Sequence, residues 1–244
     1  KWRMLAYRLT DRLADISTNV SEDAVNEFIA RGAVKLERMI AVPNGIDISR
    51  FKYSSTARSN IRKCLDVNDK KIILAVGRFN TAKDYPNLLK SICLLKTKRK
   101  DFIVFIVGDG PLKNELHQLV INLGISDCVK LLGIRRDIPE LMSAADIFVL
   151  SSAWEGFGLV IAEAMACERV VVATDCGGVK EVVGECGIIV ETRNSTMLAD
   201  MLCFALDMSI SESEILGAEA RKRITDKYSL EYNVNSYLEL YLRK

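Results

Sequence analysis

A chain of 244 residues that is 49% apolar and 27% charged can bury the core of one large or two modest domains, and it reads as an ordinary globular protein. Its formal charge of +2, from 34 Lys and Arg against 32 Asp and Glu, gives no reason to expect nucleic acid as a partner. Seven cysteines never closer than nine positions, with no Cys-x-x-Cys pair and His117 as the single histidine, argue against a metal site and for a reducing cytosol. No apolar run approaches the ~20 residues of a membrane span, and a start broken by Arg3, Arg8, Asp11, Arg12 and Asp15 is no signal peptide. The expectation is a soluble, cytoplasmic protein, with peripheral association at the inner membrane face left open. Because the sequence begins at Lys1 without an initiator methionine, a longer protein is expected around it.

In chain order, Leu5, Leu9, Leu13 and Ile16 form a helix-like stripe that runs into a strand-like segment at 15–20. Ser21, with Asp23, caps a helix expected to reach about Arg31. A second apolar run, 38–42, ends at the turn cluster Pro43-Asn-Gly-Ile-Asp47. Residues 1–52 therefore read as a remnant packed beside a main domain at 53–228. The segment 54–71 is polar, with a short helix expected only at 61–65, and reads as a surface connection.

From Lys71 the pattern becomes regular. Apolar runs at 72–76, 102–107, 129–132, 146–150, 169–173 and 187–190 alternate with segments of helical spacing. Short unbroken apolar strands between helices predict an α/β fold, a Rossmann-like doubly wound parallel sheet covered on both faces. After the first strand, Leu88, Leu89, Ile92 and Leu95 make the buried stripe, while Lys90, Lys96 and Lys98 face water. The cluster Lys96, Lys98, Arg99 and Lys100 reads as a solvated helix end. The tail carries a helix at 211–228 and a final run, 230–242, within a 229–244 segment expected to pack back toward the N-terminal part.

The loops at the carboxyl ends of such strands form the ligand crevice. They hold Gly77-Arg78 with Lys83, Gly108-Asp-Gly110-Pro, Gly133-Ile134-Arg135-Arg136, Trp154-Glu155-Gly156-Phe157-Gly158-Leu159, and Thr174-Asp-Cys-Gly177-Gly178. Glycines beside paired cations point to phosphate, met by backbone amides and charge-assisted bonds. Glu163 stands alone on an apolar helix, with Leu159, Val160, Ala166 and Cys167 around it at helical spacing. Eight positions from Glu155, it is expected two turns deeper, roughly 12 Å along the helix axis, a span suited to a diphosphate with a sugar at each end.

Together, VGRFNTAKD, VGDGP, LLGIRRDIPELMSAADIFVLSSAWEGFGLVIAEAMA and the Gly177-Gly178 turn resemble the nucleotide-sugar glycosyltransferases of family 4. The resemblance implies that the chain is the second, donor-binding domain of a two-domain GT-B architecture, with the end of the first domain at 1–42 and the linker at 43–47. It implies that Arg78 and Lys83 hold the donor diphosphate and that Glu163 accepts the ribose hydroxyls. Glu155 with the amides of Gly156 to Gly158 would hold the donor sugar, and Ile134 and Arg135 would meet the base largely through their backbone. Gly77, Gly108, Gly110, Phe157 and Leu159 would line the same site, with Glu155, Arg78 and Lys83 catalytic. The implied reaction retains anomeric configuration and needs neither metal nor cofactor. It moves a sugar from a nucleoside-diphosphate sugar to the hydroxyl of a saccharide or lipid-linked saccharide, with the acceptor side supplied by a missing N-terminal domain.

Glu155 and Glu163 are expected to have separable jobs, so that loss of the Glu155 charge leaves plain nucleotide binding intact. Glu168 and Val170 depart from the family's usual glycine and proline, so either the turn differs or a left-handed glutamate is tolerated there. An epimerase acting on nucleotide sugars and a noncatalytic nucleotide-binding subunit are the competing classes.

Overall fold

The computed structural model describes residues 2–67 and 69–242. A helix α1 (Trp2–Thr10) and a 3-10 turn (Asp11–Leu13) lead to β1 (Ser17–Asn19), α2 (Glu22–Ala30) and β2 (Met39–Ala41), and β1 and β2 pair in parallel. The main body follows: α3 (Ser55–Cys64), β3 (Lys71–Val76), α4 (Tyr85–Lys98), β4 (Phe102–Val107), α5 (Lys113–Asn122) and β5 (Val129–Gly133). It continues through α6 (Ile138–Ala144), β6 (Ile147–Leu150), α7 (Leu159–Ala166), β7 (Val170–Thr174), α8 (Val179–Val183) and β8 (Ile188–Val190). Three helices close the chain: α9 (Ser195–Asp207), α10 (Ile210–Tyr228) and α11 (Leu230–Leu242).

The main sheet is parallel, in the order β5-β4-β3-β6-β7-β8. The chain winds outward from β3 in one direction, then crosses back and winds outward from β6 in the other, so the switch point lies between β3 and β6. The four central strands are buried on both faces, while the edge strand β5 carries the exposed Lys130. Ile72, Leu74, Phe148 and Val171 pack with α6, α7 and α10 on one side, and Ile73, Val104, Val172 and Ile106 with α4, α5 and α9 on the other. All six residues of β4 are buried, and each of its large side chains contributes roughly 1.5–3 kcal/mol by leaving water. The α4 stripe Leu88, Leu89, Ile92 and Leu95 is fully buried.

Two expectations need correction. The polar segment 54–71 is more than a connection, because Ser54 caps a full helix, α3, at the Ala57 amide (3.2 Å). That helix has no apolar stripe to announce it; arginines hold it instead. Arg58 and Arg62 bind Asp146 at 2.6 and 3.2 Å, and Asp146 also accepts the Ile72 amide at 2.7 Å. Burial alone would raise the Asp146 carboxyl, but Arg58, the Ile72 amide and Arg62 overcome it and hold the group below its ordinary value. The basic cluster at the end of α4 is a solvated helix end as expected, with Lys96, Lys98 and Arg99 meeting exposed acids: Lys96 with Asp127, Lys98 with Asp200, and Arg99 with Asp101 and Asp207. Leu5, Leu9 and Leu13 do lie on helical turns, but they stay exposed, since the core of the N-terminal piece forms instead around Val25, Val34 and Met39. Of the two outcomes left open for the turn after α7, the left-handed glutamate is the one found: Glu168 stands at φ 60°, with the turn closed by bonds from the Glu168 amide to Met165 O and from the Arg169 amide to Ala164 O.

The N-terminal piece is stitched to the main body by polar contacts. Ser21 Oγ donates to Gly156 O at 2.9 Å, and the Glu181 carboxylate accepts the amides of Glu22 and Asp23 at 2.9 and 2.6 Å, satisfying the first turn of α2. The 43–47 turn meets the start of α11, where Asn233 Nδ2 donates to Pro43 O at 2.5 Å and Ile46 bridges Ser229. Further along α11, Tyr237 lies 3.4 Å from Thr18 Oγ1.

Asp146→Ala removes the carboxylate that two arginines and the Ile72 amide share, so urea unfolding should show a loss of about 3–5 kcal/mol. Lys98→Ala, which breaks an exposed pair, should leave the midpoint unchanged. Equal effects would mean that Asp146 does not hold α3 to the sheet.

Candidate donor site at the carboxyl ends of the strands

The loops at the carboxyl ends of the strands interlock through their backbones. Gly77 N donates to Val107 O at 3.0 Å, Gly108 N to Gly133 O at 2.9 Å, and Phe79 N to Asp109 O at 2.9 Å. Gly110 continues the second loop at φ 158°. After β3, Asn80 caps a short 3-10 turn at the Lys83 amide (3.2 Å), which aims Lys83 back over the strand end. There Lys83 Nζ meets Glu155 Oε1 at 2.5 Å, although 72 positions separate them, and Ser152 Oγ donates to the same oxygen at 2.8 Å. Both members of the pair are only 16% exposed. Ser151 Oγ holds Lys83 O at 2.9 Å and Thr174 Oγ1 holds Ser152 O at 2.6 Å, so the ends of β3, β6 and β7 are cross-braced around this pair. The buried Tyr85 hydroxyl sits below, its pKa raised by burial and then by the Glu155 charge. Arg78 is exposed and makes no ion pair among the described residues.

The glutamates do not span a helix as expected. Gly158 takes a left-handed conformation (φ 83°) as the N-cap of α7, so Glu155 belongs to the turn before the helix. Glu163 lies four residues past the start of α7, about 6 Å along the axis at 1.5 Å per residue. The sequence hid this because a Gly-x-Gly turn can be written into the helix or before it. Gly177 fixes the turn from the other side: at φ 54° its missing side chain leaves room for Glu155 O, which a Cβ would meet at 1.8 Å.

The remaining residues divide by what they present. Phe157 is buried against the Tyr228 ring (5.6 Å between centroids), so only its backbone can face the crevice, whereas Leu159 is 45% exposed. Ile134 is exposed, and the Arg135 guanidinium is engaged by Asp137 at 2.8 and 2.5 Å, which leaves the backbone of that loop as its open feature. Glu163 is half-buried, without a hydrogen bond or ion pair among the described residues, and burial pushes its pKa up to about 7 against an opposing pull from Arg50. Sequence reasoning missed Ser152, Tyr85 and Arg50, and placed Thr174 in the crevice loops without its bracing role. The small polar end of the strand at Ser151-Ser152 carried a signal for the first; only the folded chain brings Arg50 to Glu163. Among the described residues, no three His, Cys, Asp or Glu side chains gather to hold a metal ion, and no helix is long and apolar enough to cross a membrane.

A parallel sheet with this switch point, glycine loops and a cationic rim defines a Rossmann-like half of a GT-B glycosyltransferase fold. More particularly, the chain belongs to the glycosyl transferases group 1 family, which matches residues 57–223. It is 30% identical to N-acetyl-alpha-D-glucosaminyl L-malate synthase of Bacillus anthracis, over 93% of this chain and 59% of that protein. It is 32% identical to the N-acetylgalactosamine-N,N'-diacetylbacillosaminyl-diphospho-undecaprenol 4-alpha-N-acetylgalactosaminyltransferase of Campylobacter jejuni, over 96% of this chain and 61% of that one. Among solved structures, Anabaena Alr3699/HepE in complex with UDP and glucose superposes with a TM-score of 0.89 at 27% identity, over 97% of this chain and 65% of that one. The chain thus spans about three-fifths of the length of the curated relatives it matches.

The folded Glu163 keeps its proton up to about pH 7, against an ordinary value of 4.5. Between those values the unfolded chain has released a proton that the folded chain still holds. The stability linked to this group is therefore complete below 4.5 and lost as pH rises through 7. Glu163→Gln should gain on the parent by on the order of 2 kcal/mol from pH 5 to pH 8 in urea titrations. A pH-independent difference would place Glu163 in water.

Proposed function

We propose that this chain is the donor-binding half of a retaining, metal-independent glycosyltransferase of the family 4 kind, which moves a sugar from a nucleoside-diphosphate sugar to a saccharide or lipid-linked saccharide hydroxyl. The observation that carries the reading is the Lys83–Glu155–Ser152 cluster at the β3/β6 switch point, with Arg78 open beside it and the half-buried Glu163 one turn into α7. The diphosphate lies between Arg78, Lys83 and the amides of Gly156 to Gly158. Glu155 takes the sugar hydroxyls, Glu163 the ribose hydroxyls, and the Ile134–Arg135 backbone the base. HepE, bound to UDP and glucose, and relatives named for diphospho-undecaprenol acceptors support these ligand classes. The acceptor and the exclusion of water come from a domain facing the crevice.

Negative charge grows on the departing diphosphate as the sugar–phosphate bond breaks. Arg78 and Lys83 meet that charge in a fixed position, which is worth most in the transition state. Two cations and a helix N-terminus supply what a divalent ion otherwise would. The Lys83–Glu155 pair also changes the expected division of labour between the glutamates. Glu155 draws on the same ammonium that the phosphate needs, so the sugar and phosphate subsites are coupled.

Calorimetry on the 244-residue chain should show UDP binding that chelator does not alter. Lys83→Ala should weaken UDP at least tenfold and uridine hardly at all, since a charge-assisted bond is worth about 1.5–3 kcal/mol. Binding that requires added metal would overturn the metal-independent mechanism, and equal losses for UDP and uridine would overturn the phosphate assignment.

Glu155→Gln should free Lys83, so that UDP binds as well or better while the increment from a matching UDP-sugar disappears. A loss of plain UDP binding in this variant would reverse the orientation of the donor.

A further inference from the structure

At the opposite, amino-terminal edge of the sheet lies a second cavity of about 610 Å3, framed by the starts of β3, β6 and β7, the end of α9 and the first turns of α10. A pocket of this volume falls in the range that holds small molecules. Its lining carries three cations, Arg58, Lys71 and Arg169, and three carboxylates, Asp146, Glu168 and Glu214. Arg58 reaches Ala144 O and Ala145 O (2.8 and 2.9 Å), and Arg169 reaches Ala145 O (2.8 Å) and Cys167 O (2.9 Å). Asp146 is held by Arg58 and, from outside the lining, by Arg62. Arg169 instead lies over the Tyr53 ring, 4.7 Å from its centroid, and has no carboxylate within ion-pair distance among the described residues. Burial, with Arg58 adding to it, lowers the Arg169 pKa. The Asp146 charge acts against this shift without reversing it. A half-buried cation without a direct ion pair is costly, and an anion in the cavity offsets that cost.

Glu168 and Val170 line the same cavity. Glu168 holds a left-handed conformation (φ 60°), and its carbonyl is packed so closely by α10 that a Cβ on Gly217 would come within 2.4 Å of it. Strain of this kind persists only where surrounding structure enforces it.

The rest of the lining narrows the ligand. Leu206, Ala205 and Ile210 offer an apolar surface, while Asp146, Glu214 and Glu168, which leans toward Arg221 (3.8 Å), disfavour a multiply charged anion. We propose that this cavity is a second binding site, for a small monocarboxylate with an apolar body, whose carboxylate is gripped by Arg169 beside Tyr53. It lies at the far end of the strands from the donor crevice and does not depend on the function proposed there.

The test is a titration of the 244-residue chain with hexanoate, followed by amide resonances, with hexanol, inorganic phosphate and UDP as comparisons. Hexanoate should saturate shifts at Tyr53, Val170, Leu206 and Ile210, with or without UDP. Arg169→Gln should weaken it roughly tenfold or more, the worth of one charge-assisted bond. Ile210→Trp, at a position 73% exposed in the parent and so compatible with folding, should also weaken it by narrowing the mouth. Absence of saturation, equal affinity for hexanol, equal competition by phosphate, or loss of hexanoate when UDP is added would each overturn the proposal.

Discussion

A lysine and a glutamate 72 positions apart meet because β3 and β6 lie side by side, and the crevice is organised about that adjacency. Without it, the Lys83 turn and the Glu155 turn would be two unrelated loops. With it, one ammonium, one carboxylate and two buried serines form a charge-balanced group at the point where the sheet changes direction. Neither ion is left uncompensated in a low-dielectric place, so the site carries its charges at little cost to stability.

The same two strands are clamped at their other end. Asp146 accepts the Ile72 amide and two arginines, which fixes the start of β6 against the start of β3 and brings α3 beneath the sheet. Polar contacts thus bracket an apolar middle. Ile72, Ile73, Leu74, Ile147 and Phe148 supply the bulk of the burial, while hydrogen bonds at the two edges select one register.

The six main strands were legible because each is a short apolar run, unbroken except at Lys130 of the edge strand β5, a pattern that a buried parallel sheet imposes on its sequence. The α2 cap at Ser21 and the α4 stripe were legible for equally local reasons. Helix α3 was not, because its attachment is ionic and its partner lies 88 positions away from Arg58. In the crevice, the sequence showed which residue types gather but not how they pair. Lys83 read as a free cation and Glu155 as a free acid, yet they hold each other. Arg135 read as part of a phosphate rim, yet Asp137, two positions on, engages it. Periodicity reports burial; it carries no information on which charges neutralise which.

The seam between the N-terminal piece and the main body has a mechanical consequence. Ser21 grips the carbonyl of Gly156, and the Glu181 side chain holds the next two amides of the same helix start. Gly178 leaves so little room that a Cβ there would lie 2.6 Å from the Ser21 Cβ. The glycine turn ahead of α7 is therefore tied to an element outside the main sheet, by a linkage too short to flex. Displacement of the β1–β2 layer pulls on Gly156, and the amides that follow it move in step, so the geometry of the crevice is set by where that layer stands.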